Sequence, residues 1–326
     1  MPEQLMRLSF GYAVIMLCLV ATAKPSPEVY PPPGRLVDIG GRKLHLNCTG
    51  NGEPTVILMA GGGAFSIDWA LVQPEVAEST RVCSYDRAGL GWSDPGPSEE
   101  TVEETVDDLH ALLQASGEHQ PYVLVGASIG GIFIQAYQRA FPKDVAALVF
   151  SNSSNRIGFQ SKTKAGLIWD LTEADIRSGF PLSVKKDAAP TREEDPFDKL
   201  PPDLQKVRLW LDVRLWEKSD PSKAKPDMLL SWRKEFLTEF DATDVGKQPP
   251  LGALPVVVIA SNPVGPESAR HSRNEAGPRL DFLSSNTLHI TATGSGHEIH
   301  FYQPDRVIGG ILRGVLAVRS GSQITH

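Results

Sequence analysis

Short apolar runs alternate with longer segments of helical spacing along most of this chain. Eight of the runs predict β-strands. They are Leu36–Ile39, Lys43–Asn47, Thr55–Met59, Arg81–Tyr85, Tyr122–Val125, Ala146–Phe150, Pro255–Ala260 and Leu288–Thr291. Helical spacing follows in Thr101–Ser116, in the residues after Ser128 to about Phe141, and in Pro304–Val318. The alternation predicts an α/β fold with a mainly parallel sheet and helices on both faces, started by an antiparallel hairpin at Gly40-Gly41.

The pattern changes between residues 155 and 250. This segment contains four of the six tryptophans, several proline breaks and many charged residues. We predict that it is an all-helical insertion that caps a core formed by residues 35–154 and 251–320.

The first residues have the pattern of a targeting segment. Arg7 precedes an apolar run, Leu8–Val20, which is followed by Ala21-Thr22-Ala23. This pattern predicts a secretory signal peptide, residues 1–23, cleaved after Ala23. A retained membrane anchor is the alternative, although a spanning helix needs about 20 apolar residues. Residues 24–34 are rich in proline and predict an extended linker. We therefore expect a secreted or periplasmic protein without a membrane attachment after cleavage.

Composition and charge narrow the class of partner. The 326 residues are 41% hydrophobic and 22% charged, as in ordinary globular proteins. The net charge of −7 disfavours a nucleic-acid partner, because phosphate backbones are bound by basic surfaces.

The most informative motif is Gly126-Ala127-Ser128-Ile129-Gly130. It lies between a predicted strand and a predicted helix, so Ser128 is placed at the apex of a sharp turn. Small residues two positions before and after the serine allow the backbone to turn tightly and expose the hydroxyl. The pattern predicts a nucleophilic serine.

A serine hydroxyl needs a base within hydrogen-bond reach. His297 is the best candidate, because it lies in a glycine-flanked loop after the last predicted strand, where loops converge at the carboxyl edge of the sheet. His300 is the alternative. The two form an H-x-x-H pattern, but no further metal ligands cluster nearby in sequence. We expect neither a metal nor an organic cofactor.

Four motifs together resemble the α/β-hydrolase family, in its serine hydrolase branch. They are the turn Ala60–Gly63, D-R-A-G-L-G-W-S at Asp86–Ser93, the Ser128 motif, and G-S-G-H at Gly294–His297. The resemblance runs from about Leu36 to Val318 and implies an eight-stranded, mainly parallel sheet with a cap.

The resemblance also implies roles for single residues. Ser128 would be the nucleophile and His297 the base, and the N–H groups of Ile129 and Gly62 would form the oxyanion hole. Asp86 and Arg87 would have a structural role, holding their turn through hydrogen bonds.

The chain departs from the family at the acid that orients the histidine. Val264 occupies the usual position of this acid, and Asn152 occupies the alternative position after the sixth strand. Three interpretations are open. Asn152 orients His297 through a neutral hydrogen bond, Glu267 reaches back as the acid, or the site is degenerate and binds without catalysis. Asp281 is a more distant fourth choice.

Two cysteines, Cys48 and Cys83, remain if Cys18 leaves with the signal peptide. The strand order of the resembling family makes their strands neighbours, and export allows a disulfide. A Cys48–Cys83 bridge is therefore the prediction, with two buried thiols as the alternative.

The function expected from this resemblance is an exported serine hydrolase of carboxylesterase type. It would cleave a carboxylic ester or a related small-molecule acyl substrate through an acyl-enzyme on Ser128. The alternatives are a non-catalytic or weakly active binding protein of the same fold, or an aminopeptidase of the proline iminopeptidase type.

Overall fold

A computed structural model describes residues 29–96, 102–153, 160–162, 168–170, 190–219, 251–262 and 283–324. The chain divides into two units, Met1–Pro31 and Pro32–His326, and all that follows concerns the second. The predicted signal peptide, the positions of Val264, Glu267 and Asp281, and much of the predicted insertion lie outside the described residues.

Eight strands form one sheet in the described part of the chain. Their bounds are β1 Arg35–Asp38, β2 Lys43–Thr49, β3 Thr55–Met59, β4 Val82–Tyr85, β5 Tyr122–Ala127, β6 Val145–Ser151, β9 Val256–Asn262 and β10 Thr287–Thr293. Their spatial order is β1-β2-β4-β3-β5-β6-β9-β10. The pairs β1–β2 and β2–β4 are antiparallel and the others are parallel. The predicted mainly parallel sheet with an antiparallel start is confirmed.

Helices cover both faces of this sheet. They are α1 Gln73–Ala77, α2 Val102–Ser116, α3 Gly130–Ala140, α5 Ile299–Tyr302 and α6 Pro304–Ser320. Alternate residues of the strands point to opposite faces. Ile57 and Leu124 pack with α2 and α3, whereas Val56 and Val123 pack with α1 and α6. The two apolar layers bury the middle strands on both sides and leave the carboxyl ends of the strands free to carry polar loops.

The hairpin between β1 and β2 follows from local chemistry. The Asp38 carboxylate accepts hydrogen bonds from the backbone N–H groups of Gly40 and Gly41, at 2.8 and 2.9 Å. Both glycines have positive φ angles, 107° and 101°, which side chains disfavour.

A disulfide joins Cys48 of β2 to Cys83 of β4. The two residues are direct partners in the antiparallel register, with Cα atoms 4.0 Å apart. The predicted bridge is confirmed.

The predicted all-helical insertion is wrong in one respect. A two-stranded antiparallel pair, β7 Gln160–Lys162 and β8 Ile168–Asp170, lies within it. Residues such as Ile168 and Trp169 favour strands, and pairing satisfies the backbone of short segments. The described remainder contains a short 3-10 turn, Phe197–Lys199, and helix α4, Pro202–Ser219.

Helix α4 packs against loops of the core. Its Leu211 forms an apolar cluster with Phe65 and Ile67, which follow β3. Among the described residues, none of the helices has both the length and the hydropathy of a membrane-spanning segment.

Candidate active site

Ser128 lies in a sharp turn between β5 and α3. Its φ angle is +52°, a left-handed conformation that a non-glycine residue rarely adopts, and its side chain is half-buried. The flanking glycines are required by close packing. A Cβ on Gly126 would lie 2.5 Å from the Gly130 backbone, and one on Gly130 would lie 2.6 Å from the Met59 carbonyl oxygen. The turn therefore has the strand–turn–helix geometry that the sequence predicts.

His297 contacts Ser128 although the two residues are 169 positions apart in the sequence. It lies in the loop between β10 and α5, and its Nε2 is 2.9 Å from Ser128 Oγ. The pair is brought together because β5 and β10 are parallel strands of one sheet, so that their carboxyl ends meet at the same edge.

The two backbone donors predicted for an oxyanion both line the cavity beside Ser128. In the described part of the chain, neither the Gly62 nor the Ile129 N–H has a hydrogen-bond partner. Arg87 fixes the orientation of the Gly62 peptide, because its guanidinium donates to the carbonyl oxygens of Ala60 at 2.8 Å and of Gly61 at 3.1 Å. In a trans peptide the N–H points away from the preceding carbonyl, so the Gly62 N–H faces away from Arg87.

The segment Asp86–Ser93 has the structural role that the resemblance implies. The Asp86 carboxylate accepts hydrogen bonds from the Ser66 N–H at 2.7 Å and from the Trp92 N–H at 3.2 Å. Neither Asp86 nor Arg87 lines the cavity beside Ser128.

Asn152 lies on the other side of His297. It follows β6, is 7% exposed and has a φ angle of +45°. Its Nδ2 donates to His297 Nδ1 at 2.9 Å and to the His297 carbonyl oxygen at 3.0 Å. Of the residues considered for the third position, Asn152 is therefore the one that the described structure places against the imidazole.

Ser261, at the end of β9, was missed by the sequence analysis. Its N–H and its Oγ both donate to Asn152 Oδ1, at 3.3 and 3.0 Å. The strand order explains the contact, because β9 lies beside β6 and the residues that end adjacent parallel strands become neighbours.

His300, the alternative base, does not contact Ser128 through a hydrogen bond. Its imidazole lines the cavity, is 7% exposed and lies beside the Trp69 ring, with centroids 4.9 Å apart. Burial lowers the pKa of His300 to about 3, with nearby His297 and Arg208 adding to the effect. His300 is therefore a neutral part of the cavity wall.

The cavity beside Ser128 has a volume of about 310 Å³ and a mixed lining. Ala64, Ile129 and Phe301 of the core contribute apolar surface, and the insertion contributes Phe197 and Arg208. No motif or spacing in the sequence indicates a role for Phe197 or Arg208.

Arg208 is held by three acidic side chains. It donates to Asp68 at 2.7 Å, to Glu193 at 3.1 Å and to Asp212, and its guanidinium stacks 3.3 Å from the centre of the Phe197 ring. Burial raises the pKa of Glu193 to about 7 and also raises the pKa of Asp68, while Arg208 opposes both shifts. The network fixes α4 to the core at the cavity wall.

Metal ligands do not gather at this site in the described residues. The one cluster of three possible ligands there is Cys48, Cys83 and Glu118, and its two cysteines are joined in the disulfide.

Comparison with known proteins gives a consistent family. A family profile described as alpha/beta hydrolase fold matches residues 54–304. The 2-hydroxymuconate semialdehyde hydrolase of Pseudomonas sp. (strain CF600) is 29% identical over 147 residues, which is 44% of this chain and 51% of that protein. The chain spans about half the length of this relative and a smaller share of others, for example 36% of the protein YbdG of Bacillus subtilis (strain 168).

Solved structures agree with the fold. A thermophilic esterase from Thermogutta terrifontis superposes with a TM-score of 0.58 at 20% identity, covering 85% of this chain and 94% of that one. A bromoperoxidase from Bacillus anthracis gives 0.59 at 19% identity, covering 86% and 99%. At such low identity these neighbours establish the architecture alone. The profile match covers most of the chain, and the chain is a member of the α/β-hydrolase fold family.

Proposed function

We propose that this protein is an exported serine hydrolase that cleaves a carboxylic ester or a related acyl compound through an acyl-enzyme on Ser128. The observation that carries the proposal is the 2.9 Å contact between Ser128 Oγ and His297 Nε2, beside two backbone N–H groups that have no partner among the described residues. The names of relatives support a hydrolytic reaction, since one is a semialdehyde hydrolase and one structural neighbour is an esterase.

The reaction begins with attack of Ser128 Oγ on the carbonyl carbon of the substrate. The new O–C bond forms as the hydroxyl proton passes to His297 Nε2, and the carbonyl oxygen becomes an oxyanion. The Gly62 and Ile129 N–H groups donate to that oxygen. Collapse of the intermediate breaks the bond to the leaving alcohol, which takes the proton from His297. Water then attacks the acyl-enzyme by the same route and releases the acid and Ser128.

The cavity favours a small acyl group of low charge. Its volume of about 310 Å³ is at the lower end of ligand pockets, and its wall combines apolar side chains with the neutral imidazole of His300. The carboxyl groups of Asp68 and Glu298 also line it and disfavour an anionic acyl group. Arg208 is already paired with three carboxylates, so its charge is compensated within the protein.

A fluorophosphonate probe tests the proposal, because it labels serines that are activated as nucleophiles. We expect the purified protein to be labelled and Ser128→Ala to lose the label completely. Ser322→Ala, which removes an exposed hydroxyl far along the chain, is the matched control and should keep it. Retention of the label in Ser128→Ala would contradict the proposal.

A second candidate function rests on the amide at position 152. A neutral group in place of the usual carboxylate is also what a binding protein that has lost catalysis would contain. Absence of labelling in a folded wild-type protein would favour this candidate. Export is tested separately, by mass measurement of the secreted protein, which should begin at Lys24.

A further inference from the structure

We propose that Asn152 and Ser261 hold the neutral His297 imidazole with its proton on Nε2, so that in the resting protein His297 donates to Ser128 Oγ instead of accepting from it. The consequence for acylation rests on the function proposed above. The tautomer itself does not, and it can be measured independently.

The orientation of the Asn152 amide is fixed by backbone groups of known polarity. The Ser261 N–H can only donate, so the atom 3.3 Å away from it must be the amide oxygen. The His297 carbonyl can only accept, so the atom 3.0 Å away from it must be the amide nitrogen. These two contacts agree on a single orientation, with Nδ2 directed to the imidazole.

This orientation determines where the imidazole carries its proton. Asn152 Nδ2 donates to His297 Nδ1 at 2.9 Å, so Nδ1 must accept. A neutral imidazole has one N–H, which therefore lies on Nε2 and faces Ser128 Oγ. In this state Nε2, the nitrogen that faces Ser128, has no lone pair with which to remove the hydroxyl proton, and the lone pair on Nδ1 is occupied by Asn152.

Rotation of the amide would correct the tautomer at the cost of two contacts. It would place Nδ2 against the Ser261 N–H and Oδ1 against the His297 carbonyl, so two donor–acceptor contacts would become repulsive. Only the Ser261 hydroxyl could adapt, because its proton can turn. The resting tautomer is therefore the favoured one, and acylation requires a rare rearrangement.

A carboxylate at position 152 would reverse the preference. It would accept from the Ser261 N–H and from a proton on His297 Nδ1, which leaves Nε2 free to act as a base. It would also meet the His297 carbonyl, which limits the gain. In a serine protease the opposite change, from aspartate to asparagine, gives the wrong tautomer and lowers turnover by about 10⁴. We expect Asn152→Asp to accelerate acylation by roughly 10²- to 10⁴-fold.

The first experiment measures the tautomer directly. In protein with ¹⁵N-labelled histidine, the ring nitrogens of His297 are assigned by comparison with His297→Gln. We expect the wild type to carry the proton on Nε2 and Asn152→Asp to carry it on Nδ1. A wild-type proton on Nδ1 would overturn the inference, and this result does not depend on the folding of any Asn152 variant.

The second experiment measures the rate of fluorophosphonate labelling. Asn286→Asp is the matched control, because Asn286 is also 7% exposed but bonds to the Ala253 carbonyl and the Ile324 N–H, away from the site. We expect Asn152→Asp to be labelled at least 10²-fold faster than the wild type. Asn286→Asp should be labelled at the same rate as the wild type. If the wild type is labelled, a folded Asn152→Asp that is labelled no faster contradicts the inference. If no variant is labelled while the wild-type proton is on Nε2, the proposed function fails and the tautomer stands.

Discussion

The described residues contain two serine–histidine clusters, and the one with a carboxylate is not the candidate active site. His45 lies between Asp86, 2.8 Å from its Nδ1, and Ser66, whose Oγ is 3.2 Å from the same nitrogen. His297 lies between Ser128 and the amide of Asn152. By residue type alone, the first cluster is closer to a serine–histidine–aspartate triad.

The difference between the clusters is one of access and of free donors. The His45 side chain is fully buried, and its Nε2 is bonded to the Pro33 carbonyl. Its serine and its carboxylate are committed to the same internal network, since Asp86 also binds two backbone N–H groups. Ser128, in contrast, borders a cavity lined by Gly62 and Ile129, whose N–H groups have no partner within the described ranges. Access to a cavity and available backbone donors, more than residue type, therefore distinguish the candidate active site from the buried cluster.

The comparison predicts different outcomes for the two exchanges of acid and amide. Asn152→Asp should accelerate labelling of Ser128, whereas Asp86→Asn should lower the stability of the fold. Asp86→Asn should destabilise the fold by about 3 kcal/mol or more, because the amide nitrogen would face a backbone N–H and leave a buried donor unpaired. The free energy of unfolding in urea measures the loss. Asp203→Asn, in an exposed side chain on α4, should change it by less than about 0.5 kcal/mol. An equally stable Asp86→Asn would mean that the His45 cluster does not hold the fold together.

Removal of the disulfide should destabilise the region around His45 and leave the reactivity of Ser128 unchanged. The bond joins β2, which carries His45, to β4, which leads into Asp86, and it closes a loop with a sequence separation of 35. We expect Cys48→Ser/Cys83→Ser to lose about 2–4 kcal/mol of stability.

In Cys48→Ser/Cys83→Ser, the rate of fluorophosphonate labelling shows whether a change around His45 reaches Ser128. Below its unfolding temperature, the labelling rate per folded molecule should equal that of the wild type. A large fall in this rate, with the fold intact, would show that the two clusters are mechanically coupled.

The smallest expected effect is a change with pH in the free energy of unfolding. It comes from a third cluster, around Arg208. The pKa of Glu193 is about 7 in the folded protein, above its ordinary value near 4.5, because it is buried. As pH rises between these values the unfolded chain loses this proton first, so folding becomes less favourable. The penalty is absent below about pH 4.5 and complete above about pH 7.

Glu193→Gln measures this contribution. Its stability should fall less than that of the wild type between pH 5 and pH 7.5, by about 1–2 kcal/mol after allowance for solvent screening. Asp203→Gln, at an exposed carboxylate, is a suitable control. Parallel pH curves for Glu193→Gln and the wild type would assign the titration to Asp68 or Asp212 instead.

Local sequence patterns predict much of this architecture. They do not predict the orientation of the Asn152 amide. Hydrophobic runs predicted the eight strands of the sheet, and glycine spacing predicted the turn at Ser128 before any contact was known. Asn152 could be placed by its position after β6. The polarity of its amide depends on Ser261, 109 residues later, and no periodicity or motif links the two. The roles of Arg208 and Phe197 were unpredictable for a related reason, since long-range packing decides which residues of an insertion face a cavity.

Ser128 and His297 follow strands that occupy different places in the sheet, one central and one at an edge. Ser128 follows β5, which is hydrogen-bonded on both sides, to β3 and β6. His297 follows β10, which is the last strand of the sheet in the described part of the chain, with β9 as its ladder partner there. Edge strands open at lower free energy than central ones. We therefore expect brief fraying of β10 to withdraw the imidazole while the serine turn stays folded. Amide hydrogen exchange in Thr287–Thr293 would measure how often this happens.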